Sequence, residues 1–236
     1  MYAFAILSMP LSFFAIVALT FRSGSAAYPS FVKGLLAGIP AVLLWLLFKP
    51  LFAPVWGSWL LPLTFLFKYW VLPFGLAVAA YGLVAGFRSL SRGVDYEPAT
   101  AFVFGVLSVF GAAHTIESWG DPSRVYALVL PCLLAASALA APVLLEEASK
   151  DGFPSATKHI LLALAACSVA ALGAALFFMR FAWLGLIVSL LYIAGAGLVG
   201  FRRLVRPERP ARPVEPAQPS TQPRRGRAPL PLKRQS

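Results

Sequence analysis

Residues 160–201 read ILLALAACSVAALGAALFFMRFAWLGLIVSLLYIAGAGLVGF, and Arg180 is the only charge in the stretch. As one α-helix rising about 1.5 Å per residue it would extend ~63 Å, twice the ~30 Å of hydrocarbon in a bilayer. It must turn back. Phe177, Phe178, Phe181 and Trp183 gather around Arg180, as expected of an aromatic belt with a cation snorkelling to the interface. Two membrane-spanning helices meeting at Arg180 follow.

Working outward, Met1 to Phe21, Tyr69 to Phe87, Pro98 to Ile116 and Val125 to Leu145 also lack Asp, Glu, Lys and Arg. Each is close to the ~20 residues a helix needs to cross. Barrel strands alternate apolar and polar faces over ~10 residues, whereas these runs are apolar all round. Helices remain, because in lipid each backbone N–H and C=O must be satisfied within its own segment.

Between Lys33 and Arg88 only Lys49 and Lys68 interrupt an apolar region marked by Pro50, Pro54 and Pro62. A helix over 34–52 with Lys49 snorkelling, an interfacial or re-entrant stretch holding Trp56, Trp59 and Pro62, and a helix over 66–87 satisfy its length. A separate span over 50–67 is the alternative. It leaves little beyond Lys68 for a turn. The expected fold is all-α: a polytopic transmembrane helix bundle of about seven spans, at 1–21, 34–52, 66–87, 98–116, 125–145, 160–179 and 181–201. A disordered, basic, proline-rich tail, 202–236, follows.

The chain is 59% hydrophobic and 12% charged, too greasy for a soluble domain of 236 residues. Its net charge of +11 belongs mostly to the tail, where nine Arg and one Lys face two Glu. That placement makes nucleic acid an unexpected partner. Pro207, Pro210, Pro213, Pro216 and Pro219 recur with the three-residue period of a polyproline II helix. Pro207 to Arg212 also fits PxxPxR, a form bound by SH3-like grooves. Asn is absent from the chain, which removes N-glycosylation.

Seven spans put the termini on opposite sides, and the positive-inside rule sends the tail to the cytoplasm and the N-terminus outside. Arg202, Arg203 and Arg206, directly after the last span, are the expected lipid-interface residues, each worth about 1 kcal/mol against an anionic leaflet. The first run lacks a basic n-region and exceeds a usual signal h-region, so a retained helix is expected. Cys132 and Cys167 enter their spans from opposite faces, ~10 Å apart in height, too far for a disulfide. Gly34/Gly38 and Gly82/Gly86 form GxxxG pairs, and the Ala-rich fifth and sixth spans are expected to pack tightly.

Three motifs bear on chemistry. Gly195, Gly197 and Gly200 spell GxGxxG, but within an apolar span, where helix packing is expected instead of a dinucleotide. Glu146, Glu147 and Lys150 form EExxK, which resembles the first motif of PrsW-type membrane glutamic proteases over five residues. In that family the glutamates lie on a membrane helix and work with a histidine on another; here His159 is the nearest histidine. Asp151, Gly152 and Pro154 end the helix, so solvated charges at a cytoplasmic helix end are the plainer expectation.

His114 and Glu117, three residues apart, share a helix face near the outer end of the fourth span, with Asp121, Arg124 and Arg180 at the same level. One His and one Glu are too few for a metal site, so no metal and no cofactor are expected. No ionisable group falls at mid-depth, which disfavours a proton-coupled transporter.

The expected function is that of a non-enzymatic scaffold or accessory subunit of a plasma-membrane complex. Its partners would be the lipid bilayer, other membrane subunits, and anionic lipids or a cytoplasmic protein bound by the tail. A small-solute permease is the alternative and an intramembrane hydrolase the third.

Overall fold

The computed structural model describes residues 2–20, 24–52, 60–85, 95–117, 124–151 and 155–205. Trp56, Trp59, Arg88, Arg92, Asp121 and the tail with Arg206 lie outside the described residues. Eight α-helices are described: α1 Tyr2–Thr20, α2 Gly24–Phe48, α3 Leu61–Phe65, α4 Leu72–Ala85, α5 Tyr96–Glu117, α6 Arg124–Asp151, α7 Ser155–Phe178 and α8 Ala182–Val205. A 3₁₀ turn, Lys49–Phe52, extends α2, and a π-helical turn, Leu66–Val71, joins α3 to α4.

Among the described residues six stretches are long and apolar enough to cross a membrane: Ala27–Leu51, Leu61–Val84, Tyr96–Glu117, Val125–Glu147, Thr157–Phe178 and Ala182–Arg203. Helix α1 adds a shorter apolar stretch, Ile6–Ile16. The outside of the bundle is greasy, with Leu47, Leu83, Leu191 and Trp183 exposed. Water would penalise such a surface, while lipid matches it. The chain is a multi-pass helical membrane protein.

Two boundaries depart from the pattern of charges. Helix α2 starts at Gly24, before Lys33, because lysine is a good helix former and a single exposed one does not stop a helix. Lys33 is exposed on it. The helical run from Leu61 to Ala85 continues through Lys68, so no span ends there; Pro62 stands in its first turn, where a missing N–H costs nothing.

Helix α5 is the axis of the bundle. Of its spanning stretch 78% is buried, against 22% for α8, which lies at the periphery. Helix α2 crosses α5 so closely that a Cβ on Gly34 would strike the Phe102 carbonyl, and one on Gly105 the Phe31 carbonyl and the Leu35 nitrogen. Gly38 faces Val106 and Val109 on the same contact. Phe13 of α1 stacks on Phe31 of α2, with centroids 4.1 Å apart, and leans on Phe104 of α5.

Helices α6, α7 and α8 pack on one another. Ala170, Ala171, Ala174 and Ala175 on α7 are fully buried, so the Ala-rich fifth and sixth spans do pack, although the closest glycine-mediated approach described belongs to α2 and α5.

The turn between α7 and α8 explains how the 42-residue stretch reverses without glycine. Arg180 takes the left-handed conformation, φ 66°. The Phe181 N–H donates to the Leu176 carbonyl at 2.9 Å and the Arg180 N–H to Phe177 at 3.3 Å, the paired bonds of a Schellman motif. An arginine stands where glycine is usual, at a cost of about 1–2 kcal/mol, and its side chain stays exposed.

Candidate functional site: charged clusters at the two ends of the bundle

The first cluster begins with a defect in a helix. Pro73 has no N–H, and its ring crowds the preceding turn, so the helix widens to π geometry over Leu66–Val71. The Leu72 N–H bonds to Phe67 rather than Lys68. In that register the donor due to the Lys68 carbonyl would be residue 73, the proline. The Trp45 indole N–H of α2 donates to that carbonyl instead, at 2.7 Å. A side chain thus satisfies a backbone acceptor that lipid could not.

This widening sets Lys68 and Tyr69 against the end of α5. Lys49 Nζ lies 2.8 Å and Lys68 Nζ 3.8 Å from the same Glu117 oxygen, Oε1. Glu117 Oε2 is 4.0 Å from Nδ1 of His114, one turn earlier on α5. On its other nitrogen His114 pairs with the Tyr126 hydroxyl of α6 at 2.7 Å. Trp45 lies beneath Lys49 and Tyr69 beneath Lys68, with each ammonium just under 5 Å from the ring centroid (4.9 and 4.8 Å). Phe110 stacks parallel to the imidazole.

His114 and Tyr126 are buried, whereas the side chains of Glu117 and both lysines are about one-quarter exposed (21–28%). The cluster therefore joins four helical segments, α2, the π turn, α5 and α6, around one carboxylate at the membrane interface. His114 and Glu117 stand on one face, as their spacing implies. Among the described residues Arg180 has no ion pair with either: it caps α7, and the cations at Glu117 are Lys49 and Lys68. Neither was legible as a partner, because each lies far from Glu117 in the chain and only the fold brings them together.

Glu117→Ala should remove the shared anion and leave two lysines facing each other, lowering stability by about 2 kcal/mol. Glu117→Gln, which keeps an acceptor oxygen, should cost less. Thermal unfolding in detergent measures both, and an unchanged midpoint for Glu117→Ala would show the cluster to be ornamental.

The second cluster lies ~30 Å away, at the far end of α6, twenty residues beyond Tyr126. Glu146 is 6% exposed. Arg203 of α8 grips it with two hydrogen bonds: Nε donates to Oε2 at 2.8 Å, and Nη2 donates to Oε1. Such a two-pronged pair fixes orientation as well as charge. Beside it, Glu147 Oε2 lies 3.3 Å from Nε2 of buried His159 on α7. Of the arginines expected at the lipid interface, Arg202 is exposed and Arg203 is turned into the bundle.

The EExxK glutamates therefore have unequal partners. Glu146 is held by a guanidinium, and Glu147 meets a histidine on a neighbouring helix. Next to His159, a groove of about 330 Å³ runs between α4, α6 and α7, lined by apolar side chains that include Phe74, Leu144 and Ala163. Ile160 and Leu164 on its rim are exposed, so it opens on the lipid-facing side.

Among the described residues no group of three His, Cys, Asp or Glu side chains is placed to hold a metal. Cys132 and Cys167 are free thiols. The GxGxxG glycines stand on the helical surface of α8: Gly200 packs on Leu139, while a Cβ on Gly195 or Gly197 would meet nothing within 4 Å. No protein-family model, no curated protein and no solved structure matches the chain.

Proposed function

We propose that the protein is a non-enzymatic scaffold or accessory subunit of a plasma-membrane complex, with its N-terminus outside and its basic tail in the cytoplasm. The observation that carries this reading is where the polar side chains are used. Glu117 engages two lysines, His114 engages Tyr126, Glu146 engages Arg203, and Glu147 engages His159. Chemistry at both ends of the bundle is thereby committed to joining helices. The concentration of positive charge in residues 202–236 supports a tail that recruits anionic lipid or a protein.

Deleting residues 207–236 should leave membrane insertion and folding intact while removing the cross-links the full chain makes at the cytoplasmic face of native membranes. An unchanged cross-linking pattern would refute the role of the tail. A reporter fused to the C-terminus that is active only on the exterior would refute the orientation.

One observation favours a second reading, an intramembrane hydrolase: the Glu147–His159 pair beside an apolar groove supplies a carboxylate and an imidazole on adjacent helices. Peptide hydrolysis in proteoliposomes that is lost in a Glu146→Gln/Glu147→Gln variant would establish it. A permease has no comparable support, since the groove is apolar and faces lipid.

A further inference from the structure

We propose that the groove between α4, α6 and α7 admits a quinone ring from the bilayer, one ring carbonyl accepting a hydrogen bond from the Tyr192 hydroxyl of α8.

The groove does not end at an apolar wall. Phe74, Ala163 and Cys167, which line it, also line a recess of about 20 Å³. Ser137 of α6 and Tyr192 of α8 complete the wall of that recess, with their hydroxyl oxygens 2.7 Å apart, and both residues are buried. A space of that size takes one oxygen-sized group. The groove, at about 330 Å³, takes a small molecule. An apolar chamber with a few hydrogen-bonding groups at one side is how small-molecule sites are usually built.

Depth selects the ligand. At ~1.5 Å per residue Tyr192 lies ~16 Å along α8 from Arg203, Ser137 ~13 Å along α6 from Glu146, and Cys167 ~12 Å along α7 from His159. Those three polar residues stand at the end of the bundle, so the hydroxyl pair sits near the middle of ~30 Å of hydrocarbon. Entry is sideways from lipid, because Gly75 and Leu164 on the groove walls are exposed, and a Cβ on Gly75 would meet nothing within 4 Å.

A phosphate or ammonium headgroup stays at the interface, since carrying its charge to mid-depth is costly. An acyl chain reaches that depth but gives Tyr192 nothing to bond. Long-chain alcohols keep their hydroxyl at headgroup level, where water satisfies both its donor and its acceptors. A quinone ring is uncharged, its carbonyls only accept, and Phe74 offers it an aromatic neighbour in both groove and recess.

The hydrogens balance as well. The Ser137 hydroxyl lies within bonding distance of two acceptors, the Leu133 carbonyl at 2.8 Å and the Tyr192 oxygen at 2.7 Å. When it donates to Leu133, Tyr192 donates to Ser137. When it turns to Tyr192, the Tyr192 hydrogen is released to the ligand, and the Leu133 carbonyl keeps the N–H bond of its own helix. The ring carbonyl is therefore bonded at no loss elsewhere.

The test places the full-length protein in phosphatidylcholine vesicles with an azido-benzoquinone carrying a decyl tail, and maps its photoadducts by peptide mass spectrometry. Adducts should concentrate on Phe74 and residues 163–167 relative to the exposed face of α8. Tyr192→Phe keeps the ring and removes the hydroxyl, so it should lower that labelling about two- to tenfold, the worth of one hydrogen bond, with α8 labelling unchanged. A phenyl azide with the same tail and no carbonyl should label the groove no better than α8. Ala163→Phe fills the groove and should bring quinone labelling there to the α8 level. Gly75→Phe does so from the opposite wall and serves if the first variant misfolds, which gel filtration reports.

Infrared spectra of the wild-type protein with an isotope-labelled quinone should show, beside the carbonyl band of quinone dissolved in lipid, a second band lowered by hydrogen bonding. That reading stands even if Tyr192→Phe fails to fold. Adducts spread evenly over the lipid-facing helices, equal groove labelling by the two azides, or the lack of a second carbonyl band overturns the proposal. None of these outcomes depends on the tail or on the Glu147–His159 pair.

Discussion

Gly34→Leu and Gly105→Leu are each expected to prevent the folded bundle from accumulating in membranes. The two glycines sit on facing surfaces of α2 and α5, and what each would strike is backbone: the Phe102 carbonyl for Gly34, the Phe31 carbonyl for Gly105. An overpacked core usually relaxes by moving side chains, at a cost of about 1–3 kcal/mol. Carbonyl groups locked in helices lack that freedom, and with α5 at the axis, displacing α2 disturbs every helix that leans on α5. A penalty above about 4 kcal/mol, a large share of an ordinary protein's stability, is the expectation.

Even Gly34→Ala should lower the unfolding midpoint measurably, because a single methyl already collides. Gly195→Leu is the matched control: it makes the same change in a membrane helix where a Cβ meets nothing. Expression level and monodispersity in detergent read the leucine variants, and thermal unfolding the milder one. Equal stability of Gly34→Leu and Gly195→Leu would mean that the close crossing of α2 and α5 does not hold the bundle together.

The helices were legible in the sequence because lipid imposes a blunt rule, that charge stays out of ~20-residue stretches, and six of the seven expected spans reappear as long apolar helices with the first as a shorter apolar stretch. What the rule cannot convey is geometry that depends on a distant partner. The turn at Arg180 was expected, but its form was not, since a left-handed arginine becomes acceptable only through the Phe181 and Arg180 amide bonds it enables. The π turn is similar. Pro73 disturbs the helix locally, but the partner of the carbonyl it leaves over is Trp45, a side chain on another helix that no local pattern points to.

For the candidate sites, local spacing carried only the local part. His114 and Glu117 share a face because three residues nearly complete a turn. The arrival of Lys49 and Lys68 at that carboxylate, and the inward turn of Arg203, follow from how whole helices pack. Sequence patterns placed Arg203 among interface arginines because it follows the last span; the structure places its guanidinium on Glu146, so the last helix carries its own latch onto α6.

Arg203→Ala should be the most damaging change at that end of the bundle, and more so than Glu146→Ala. The two partners differ in exposure: Glu146 is nearly closed off, at 7% for its side chain, whereas Arg203 is at 31%. Removing the arginine strands a carboxylate where water and headgroups hardly reach, for which about 3 kcal/mol is expected. Removing the glutamate leaves a guanidinium on a long stem that can swing outward to the interface, so its penalty is smaller.

The same reasoning fixes two further variants. Exchanging the charges, Glu146→Arg with Arg203→Glu, should recover part of the loss. Replacing both by leucine should recover most of it, because a well-packed apolar pair costs no desolvation. Thermal unfolding of the four variants in one detergent orders them, and protease resistance at the end of α8 reports whether the helix stays docked. If Arg203→Ala proved no worse than the double leucine variant, the buried carboxylate would not be what α8 is there to neutralise, and the docking of α8 would rest on its apolar contacts with α6 and α7 alone.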